Sequence, residues 1–351
     1  MTPLLTVIVP AYNCGPTLTR TLDALTASDL PREQWELIVA DDGSTDDTPR
    51  AAARVADRVV RVAHGPRGPG FARNEAARAA TGDVLVFIDA DVCVSPTALS
   101  QFAALFRQRP DLGAAFGAYD TVPEASSVVS QYRNLLHHYV HSLSPGPAIT
   151  FWAGCGAMRR EVFAAVGGFD VVRYRRPQIE DIELGYRLTA LGIPILLCPD
   201  IQGKHLKRWT LRGGFVTDFR DRGVPWMQLL LERREVAAAG PLNLQAREKL
   251  FTLLTPGGVA LLLAAPFARS TWMAIIGLGA LLVVVGGNAS LLRWFARMRG
   301  RSFAVKIIPL RLAYYVLNAV AGAWGAVLHF RRSRRAGIPP DDTFETSRAN
   351  P

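Results

Sequence analysis

The chain is poor in cysteine, and what it has is not paired. Cys14, Cys93, Cys155 and Cys198 are widely separated, with no Cys-x-x-Cys spacing among 351 residues. That excludes a disulfide framework and a zinc-finger ligand set, and it suits a reducing compartment. A secretory leader is also missing: Leu4 to Val9 is too short and lacks a basic flank, so the N-terminal portion is expected in the cytosol. Acidic residues are absent from one long stretch. Between Arg293 and Arg335 there are ten basic residues and no acidic one, and without those ten the chain carries 30 charges of each sign. The net charge of +10 is therefore local. It gives no reason to expect a nucleic-acid partner. Basic clusters flanking apolar segments mark a cytoplasmic membrane face instead.

What is present begins with alternation. Leu5 to Val9 reads as a strand stopped by Pro10, and Pro16 opens a helix with Leu18, Leu22 and Leu25 on one face. Glu36 to Ala40 reads as a second strand, Thr48 to Arg58 as a helix and Val59 to Val62 as a short strand. Gly70 to Ala80 follows as a helix. Val84 to Ile88 is an apolar run that fits a strand buried on both faces. A further helix is expected from Ser95 as N-cap and Pro96 at its first position. This order predicts a doubly wound α/β domain. Beyond it, Val128 to Val140 and Glu161 to Val166 read as helices, Ile149 to Trp152 as extended, Glu180 to Leu191 as a helix and Ile193 to Leu197 as a strand. The soluble domain is expected to end near Trp209.

The chemistry-bearing residues lie at the ends of these elements. Asp89 and Asp91 follow the buried strand, where ligands bind in open α/β sheets. Two carboxylates there suit Mg2+ or Mn2+, which leaves positions open for phosphate oxygens. Repulsion relieved by hydrogen bonds alone is the competing reading. Pro10 to Asn13 and Asp41-Asp42-Gly43-Ser44 follow strands expected to be neighbours. A carboxylate there accepts a ring N–H of a base, with Tyr12 offering a face, or the segment is only a turn. Gly65 to Asn74 is a Gly/Pro loop opening a helix, which suits phosphate, with Arg73 either adding a charge or facing solvent. Glu180 and Asp181 begin a helix, as dipole complements or as a general base. Lys204 to Trp209 sets His205, a possible metal ligand, beside Arg208 and Trp209, or is a basic interfacial loop.

Six segments occur together in an order that resembles the family-2 glycosyltransferases of the GT-A, nucleotide-diphosphosugar transferase fold. They are Thr6 to Asn13, Val39 to Asp46, Ala72 to Asn74, Gly82 to Asp91, Gly167 to Asp170 and Glu180 to Leu184. The resemblance covers residues 4 to 209. It implies a Rossmann-like GT-A domain with Asp41 or Asp42 on the donor base, and Asp89 with Asp91 on the metal of the donor diphosphate. It makes Asp181, with Glu180 beside it, the catalytic base. Pro10, Tyr12, Arg73, Arg208 and Trp209 complete the expected donor site, and His205 the metal set. Inversion at the anomeric carbon is implied as well. Processive members carry Gln-x-x-Arg-Trp; here His205 stands in the Gln position, so transfer of a single sugar is expected. The loop Ala153 to Ala157 is placed on the acceptor side. A non-catalytic nucleotide-sugar-binding scaffold and a sugar nucleotidyltransferase are the alternatives.

The remainder divides into amphipathic interfacial helices over 211–249, a membrane region over 250–330 and a basic, disordered tail over 331–351. Segments 250–268 and 270–292 carry no charge, and each approaches the roughly 20 residues of a span. They form a hairpin broken only by Arg269. The third apolar segment, 307–330, contains Arg311, Asn318 and His329 and has basic residues on both sides. It is read as a span, a re-entrant segment or an interfacial helix. Together these features predict a multi-pass protein of the cytoplasmic membrane with its catalytic domain facing the cytosol. The expected partners are a nucleotide-diphosphate sugar and a lipid-linked, lipid-phosphate or glycan acceptor.

Overall fold

A computed structural model describes residues 4–233 and 246–335. The parallel part of its sheet is made by β1 (Leu5–Ala11), β2 (Trp35–Asp41), β3 (Arg58–Arg61) and β4 (Val84–Ile88). Residues along these strands alternate between two buried layers. Val7, Val9, Leu37, Val39, Val84, Val86 and Ile88 face one, while Ile8, Ile38, Ala40, Leu85 and Phe87 face the other. Helices α1 (Gly15–Thr26) and α3 (Pro69–Ala79) cover opposite faces, their Leu18, Leu22 and Leu25 and their Ala72 and Ala76 entering the two layers. Apolar residues on both faces are what a covered parallel sheet requires.

The second half of the sheet is mixed, and the sequence pattern did not reveal it. β5 (Val92–Val94), β6 (Ala114–Tyr119), β7 (Gly146–Ala148), β8 (Cys155–Arg159) and β9 (Ile195–His205) complete the order β3-β2-β1-β4-β8-β6-β9-β5, with β7 also on β9. β8 runs antiparallel between β4 and β6. The stretch assigned to an acceptor loop, Ala153 to Ala157, is thus largely a central strand. Its small residues let Phe151 and Trp152 pack onto glycine backbone, a requirement that hides strand character. Helix α2 (Thr48–Ala52) is also shorter than expected. Asp57 ends it: its backbone donates to Leu37 O at 3.0 Å and its carboxylate accepts from Leu37 N at 2.7 Å, drawing the chain onto β2. Helix α4 (Ala98–Gln108) starts at Ala98, not at Pro96, because Ser95 N donates to Gln202 O on β9.

Around this sheet lie α5 (Val128–Ser142), α6 (Arg160–Ala165) and α7 (Glu180–Ala190), then α8 (Leu211–Val216), a π-helical turn over Thr217–Gly223, and α9 (Val224–Glu232). The C-terminal part holds α10 (Ala246–Ala268), α11 (Thr271–Gly287), α12 (Ala289–Arg299) and α13 (Arg301–Arg335). Helices α10 and α13 are long and apolar enough to cross a membrane. The expected span over 270–292 is broken: α11 and α12 meet at Asn288 with a 59° bend. Asn288 Nδ2 donates to Val284 O in the preceding turn, taking a place in the ladder at the bend.

Helix α13 lies against the N-terminal domain along most of its length. Ala304 and Ile307 pack on Tyr132 and Leu135 of α5. Ala321 closes on Gly223, Gly325 on Val224 and Met227, and His329 Nδ1 is 3.8 Å from Glu232 Oε1. Residues 304 to 329 of a helix extend roughly 38 Å. Residues 331–335, expected in the tail, continue α13. The rest of that tail, 336–351, and the stretch 234–245 of the interfacial segment lie outside the described residues.

Candidate active site

Parallel pairing of β1 with β2 and β4 brings three strand ends to one edge. Ala11 is in register with Asp41, and Asp42 N donates to Ala11 O at 2.8 Å. Pro10 is a buried β1 residue opposite Ala40, while Tyr12 is exposed at the strand end. Neither aspartate is a free carboxylate. Asp41 Oδ1 accepts from Ser44 N at 2.9 Å, and its Oδ2 is buried without a partner, 3.9 Å from Arg61 Nε. Asp42 accepts from Arg67 N at 2.8 Å and Gly68 N at 2.7 Å, which pins the Gly/Pro loop to β2. Burial raises its carboxyl above the ordinary range despite those two N–H groups. Gly68 is required there: its φ is +98°, and a Cβ would stand 2.6 Å from Arg175 O.

Arg73 is neither solvated nor free for phosphate. It is buried on α3, with Nη2 2.5 Å from Asp89 Oδ1 and Nη1 3.3 Å from Glu180 Oε1, and its guanidinium lies over Phe169. It joins the end of β4 to the start of α7. Glu180 also accepts from Gln178 N at 2.8 Å, and burial together with neighbouring Asp181 lifts its carboxyl to about 7. Asp181 accepts from Ala153 N at 3.2 Å and Ile182 N at 2.8 Å. Burial raises it too, against those N–H groups and Arg73. The helix start thus holds two buried carboxylates that share the one cation, Arg73, with Asp89.

The three-residue metal set assembles only in part. Among the described residues, no three His, Cys, Asp or Glu side chains converge as metal ligands. Asp89 departs because Arg73 takes one of its oxygens. Asp91 and His205 do meet: β5 pairs with β9, Leu206 N donates to Asp91 O at 2.8 Å, and His205 Nε2 lies 3.4 Å from Asp91 Oδ2. Burial acts to raise Asp91, but the hydrogen bond and charge of His205, with Lys207, outweigh it and hold the carboxyl below its ordinary range. Asn134 Oδ1 is 2.6 Å from His205 Nδ1. With the amide so oriented, Nδ1 carries a hydrogen; Nε2 donates to Asp91 while the ring is protonated, and turns a lone pair to the same space once a cation displaces that proton. A carboxylate beside an imidazole lone pair fits a divalent cation whose other ligands are phosphate oxygens.

The last two expected donor contacts separate. Arg208 is exposed, but Trp209 is buried: its backbone N–H donates to Ser130 Oγ at 2.8 Å, and Arg133 and Lys207 lie over its ring. It anchors the end of the domain to α5. Residues missed in the sequence sit on that same helix. Besides Asn134, His138 Nδ1 lies 2.7 Å from Tyr119 O and His141 Nδ1 3.0 Å from Gly117 O, while Tyr119 stacks on His205 with centroids 4.4 Å apart. Asn134, His138 and His141 recur at i, i+4 and i+7 on one helical face, a pattern that could have placed α5 at the site.

A mixed sheet of this order, with paired carboxylates at its strand ends, defines the GT-A nucleotide-sugar transferase fold. A mannosyltransferase from Pyrobaculum calidifontis, solved with GDP-mannose and Mn2+, superposes with a TM-score of 0.56 at 23% identity over 92% of this chain and 88% of its own. Residues 6–167, a little under half of the chain, match the model of glycosyl transferase family 2. The chain is 30% identical over 233 residues to validoxylamine A glucosyltransferase of Streptomyces hygroscopicus, covering 57% of this chain and 55% of the relative. It is 28% identical over 242 residues to the O-antigen chain rhamnosyltransferase WbaN of Salmonella anatum, covering 64% and 75%. The chain spans about half the length of the glucosyltransferases it matches.

Proposed function

We propose that this glycosyltransferase moves one sugar, with inversion, from a nucleotide diphosphate to an acceptor at the cytosolic membrane surface. The observation that carries the reading is the placement of Asp181 beside Asp89, across Arg73 and near the Asp91–His205 pair. Asp91 and His205 would hold Mg2+ or Mn2+ on the donor diphosphate, where the cation supplies Lewis-acid stabilisation of the leaving group. Asp181 takes the proton of an acceptor hydroxyl as its oxygen attacks the anomeric carbon and the diphosphate departs. A lipid-phosphate acceptor is already ionised, and Asp181 then orients it. Tyr12 covers the base, and Asp41, the one of the two strand-end aspartates with an unpartnered oxygen, accepts its ring N–H.

Membrane placement follows from the C-terminal helices. In this reading α10 and α11 enter the bilayer as a hairpin, with Arg269 at its tip. Helix α13 lies in the interface, since its inner face is taken by α5 and α9 while Val320, Trp324 and Val327 remain exposed on the other. The basic residues at both of its ends then fall on one side, as the positive-inside rule asks.

The test is a screen of nucleotide-diphosphate sugars with Mn2+ and membrane lipid extract, reading released nucleoside diphosphate for wild type and D181N. With a hydroxyl acceptor, D181N should bind donor as wild type does and lose 10²- to 10⁴-fold in transfer. Near wild-type turnover would remove Asp181 as the base. Donor binding with no release under any condition would favour a scaffold, and consumption of a nucleoside triphosphate would favour a nucleotidyltransferase.

A further inference from the structure

Helix α12 is amphipathic, and its two faces have different fates. Leu291 and Phe295 are buried against Tyr132 and Leu135 of α5, with Trp294 packed beside them. The opposite face carries Ser290, Arg293 and Arg297, all exposed. Gly300 then turns the chain with a φ of +87°, and Arg301 begins α13 next to that face. The corner forms an open, shallow concavity of about 450 Å³ lined by Ser290, Arg293, Ala296, Arg297 and Arg301.

The three arginines are not used by the protein in the way their neighbour is. Arg299, on the side toward the catalytic domain, donates to Gln131 Oε1 at 2.8 Å and Thr121 O at 2.7 Å. Arg293 makes only one 3.3 Å bond to Ala289 O within its own helix. Among the described residues none of Arg293, Arg297 and Arg301 has a carboxylate partner. Three guanidinium groups around one concave space repel one another unless an anion sits between them, and their planar donors match phosphate oxygens. The concavity sits where α11 bends and α13 begins, on the side away from α5. In the membrane placement proposed above, on which this inference rests, that is the depth of lipid headgroups.

We propose that the α12–α13 corner is a binding site for the phosphate of an anionic phospholipid, separate from the donor site. The occupant is a membrane lipid rather than a soluble anion. The corner adjoins helices whose outward residues are large and apolar, including Trp272, Ile275, Leu282 and Val305, so acyl chains have apolar surface to follow. Because α12 packs on α5, and α5 carries Asn134 against His205, the bound lipid would fix the catalytic domain's height over the membrane.

The test uses the full-length protein, extracted and delipidated in detergent, then mixed with phosphatidylglycerol or phosphatidylcholine and weighed by native mass spectrometry. Wild type should retain one phosphatidylglycerol and no phosphatidylcholine. R293Q/R297Q should lose that lipid roughly tenfold or more, given the strength of basic residues at an anionic surface. R331Q/R332Q, which removes equal charge elsewhere, should keep it. Equal loss in both variants, equal retention of phosphatidylcholine, or no retained lipid in wild type would each overturn the site. Displacement by millimolar glycerol phosphate would reassign it to a soluble anion. If the double variant melts early, R297Q alone gives the same reading. Recovery of the protein without detergent would instead refute the membrane placement, independently of which lipid binds.

Discussion

The guanidinium of Arg73 lies 2.5 Å from Asp89 and 3.3 Å from Glu180, so one buried cation ties the end of β4 to the start of α7. Asp181 adds a third carboxylate within its field. Removing one partner of such a group leaves buried charge uncompensated, which typically costs 3–5 kcal/mol. R73A should therefore lower thermal stability by about that amount and abolish donor turnover. R73K should not restore turnover, because an ammonium cannot bridge two carboxylates with separate donors. Melting curves that coincide for wild type and R73A would show the cation is not holding these elements together.

Glu180 makes stability depend on pH. Its carboxyl is lifted from an unfolded value of 4.5 to about 7 by burial and by Asp181. The folded protein then holds that proton more tightly than the unfolded chain, so stability falls as pH rises through this window. E180Q has no such proton and should gain on wild type by up to ~3 kcal/mol between those two pH values. Above about 7 the difference should be constant. Parallel melting curves for the two proteins from pH 4.5 to 8 would contradict the assignment.

These residues also show what a local sequence signal can place, which is position at the end of an element rather than role. Asp89, Asp91, Glu180 and Asp181 were legible because each follows a short local signal, a buried strand or a helix start. The parallel strands were legible for the same reason. Arg73 was not, since its role depends on partners 16 and 107 positions away, and an arginine in an Ala-rich helix looks solvated. Trp209 was misread because the Ser130 that holds it is 79 residues distant. The mixed half of the sheet escaped because Ala114 to Tyr119 and Cys155 to Arg159 are Ala/Gly-rich, without the branched residues that announce a strand. The third apolar segment reads from its sequence as a span, a re-entrant segment or an interfacial helix; its helix, α13, is long and apolar enough to cross a membrane and also packs on α5 and α9.

Asn134 should act on metal through His205. Its 2.6 Å contact sets which ring nitrogen carries the hydrogen, and partners of that kind are worth 10- to 100-fold in metal affinity. N134A should weaken Mn2+ binding in the presence of nucleoside diphosphate by that factor. N134D, still an acceptor toward Nδ1–H, should recover most of it. Titration calorimetry of Mn2+ with N134L separates this from a packing defect, because leucine refills the space but offers no acceptor and should not recover the affinity. Unchanged Mn2+ affinity in N134A would detach His205 from the metal.

The helix corner of the C-terminal region is held by charge where charge is costly. Arg311 Nη2 is 2.7 Å from Glu248 Oε2, and its Nε donates to Asn288 Oδ1 at 3.1 Å. Tyr315 OH donates to the same Glu248 oxygen at 3.0 Å and is itself 3.2 Å from Asn288 Nδ2. One cluster thus joins the start of α10, the bend between α11 and α12, and the middle of α13. Charges in such surroundings are tolerated as pairs and expensive alone. R311M should therefore destabilise the protein in detergent more than R311M/E248Q does, because the single change strands the carboxylate. The double-mutant cycle should show a coupling within 0.5–3 kcal/mol, the range for residues in contact. Additive melting shifts would mean the two side chains act independently. The bend at Asn288, and with it the orientation of α12, would then have to be set by backbone packing rather than by this cluster.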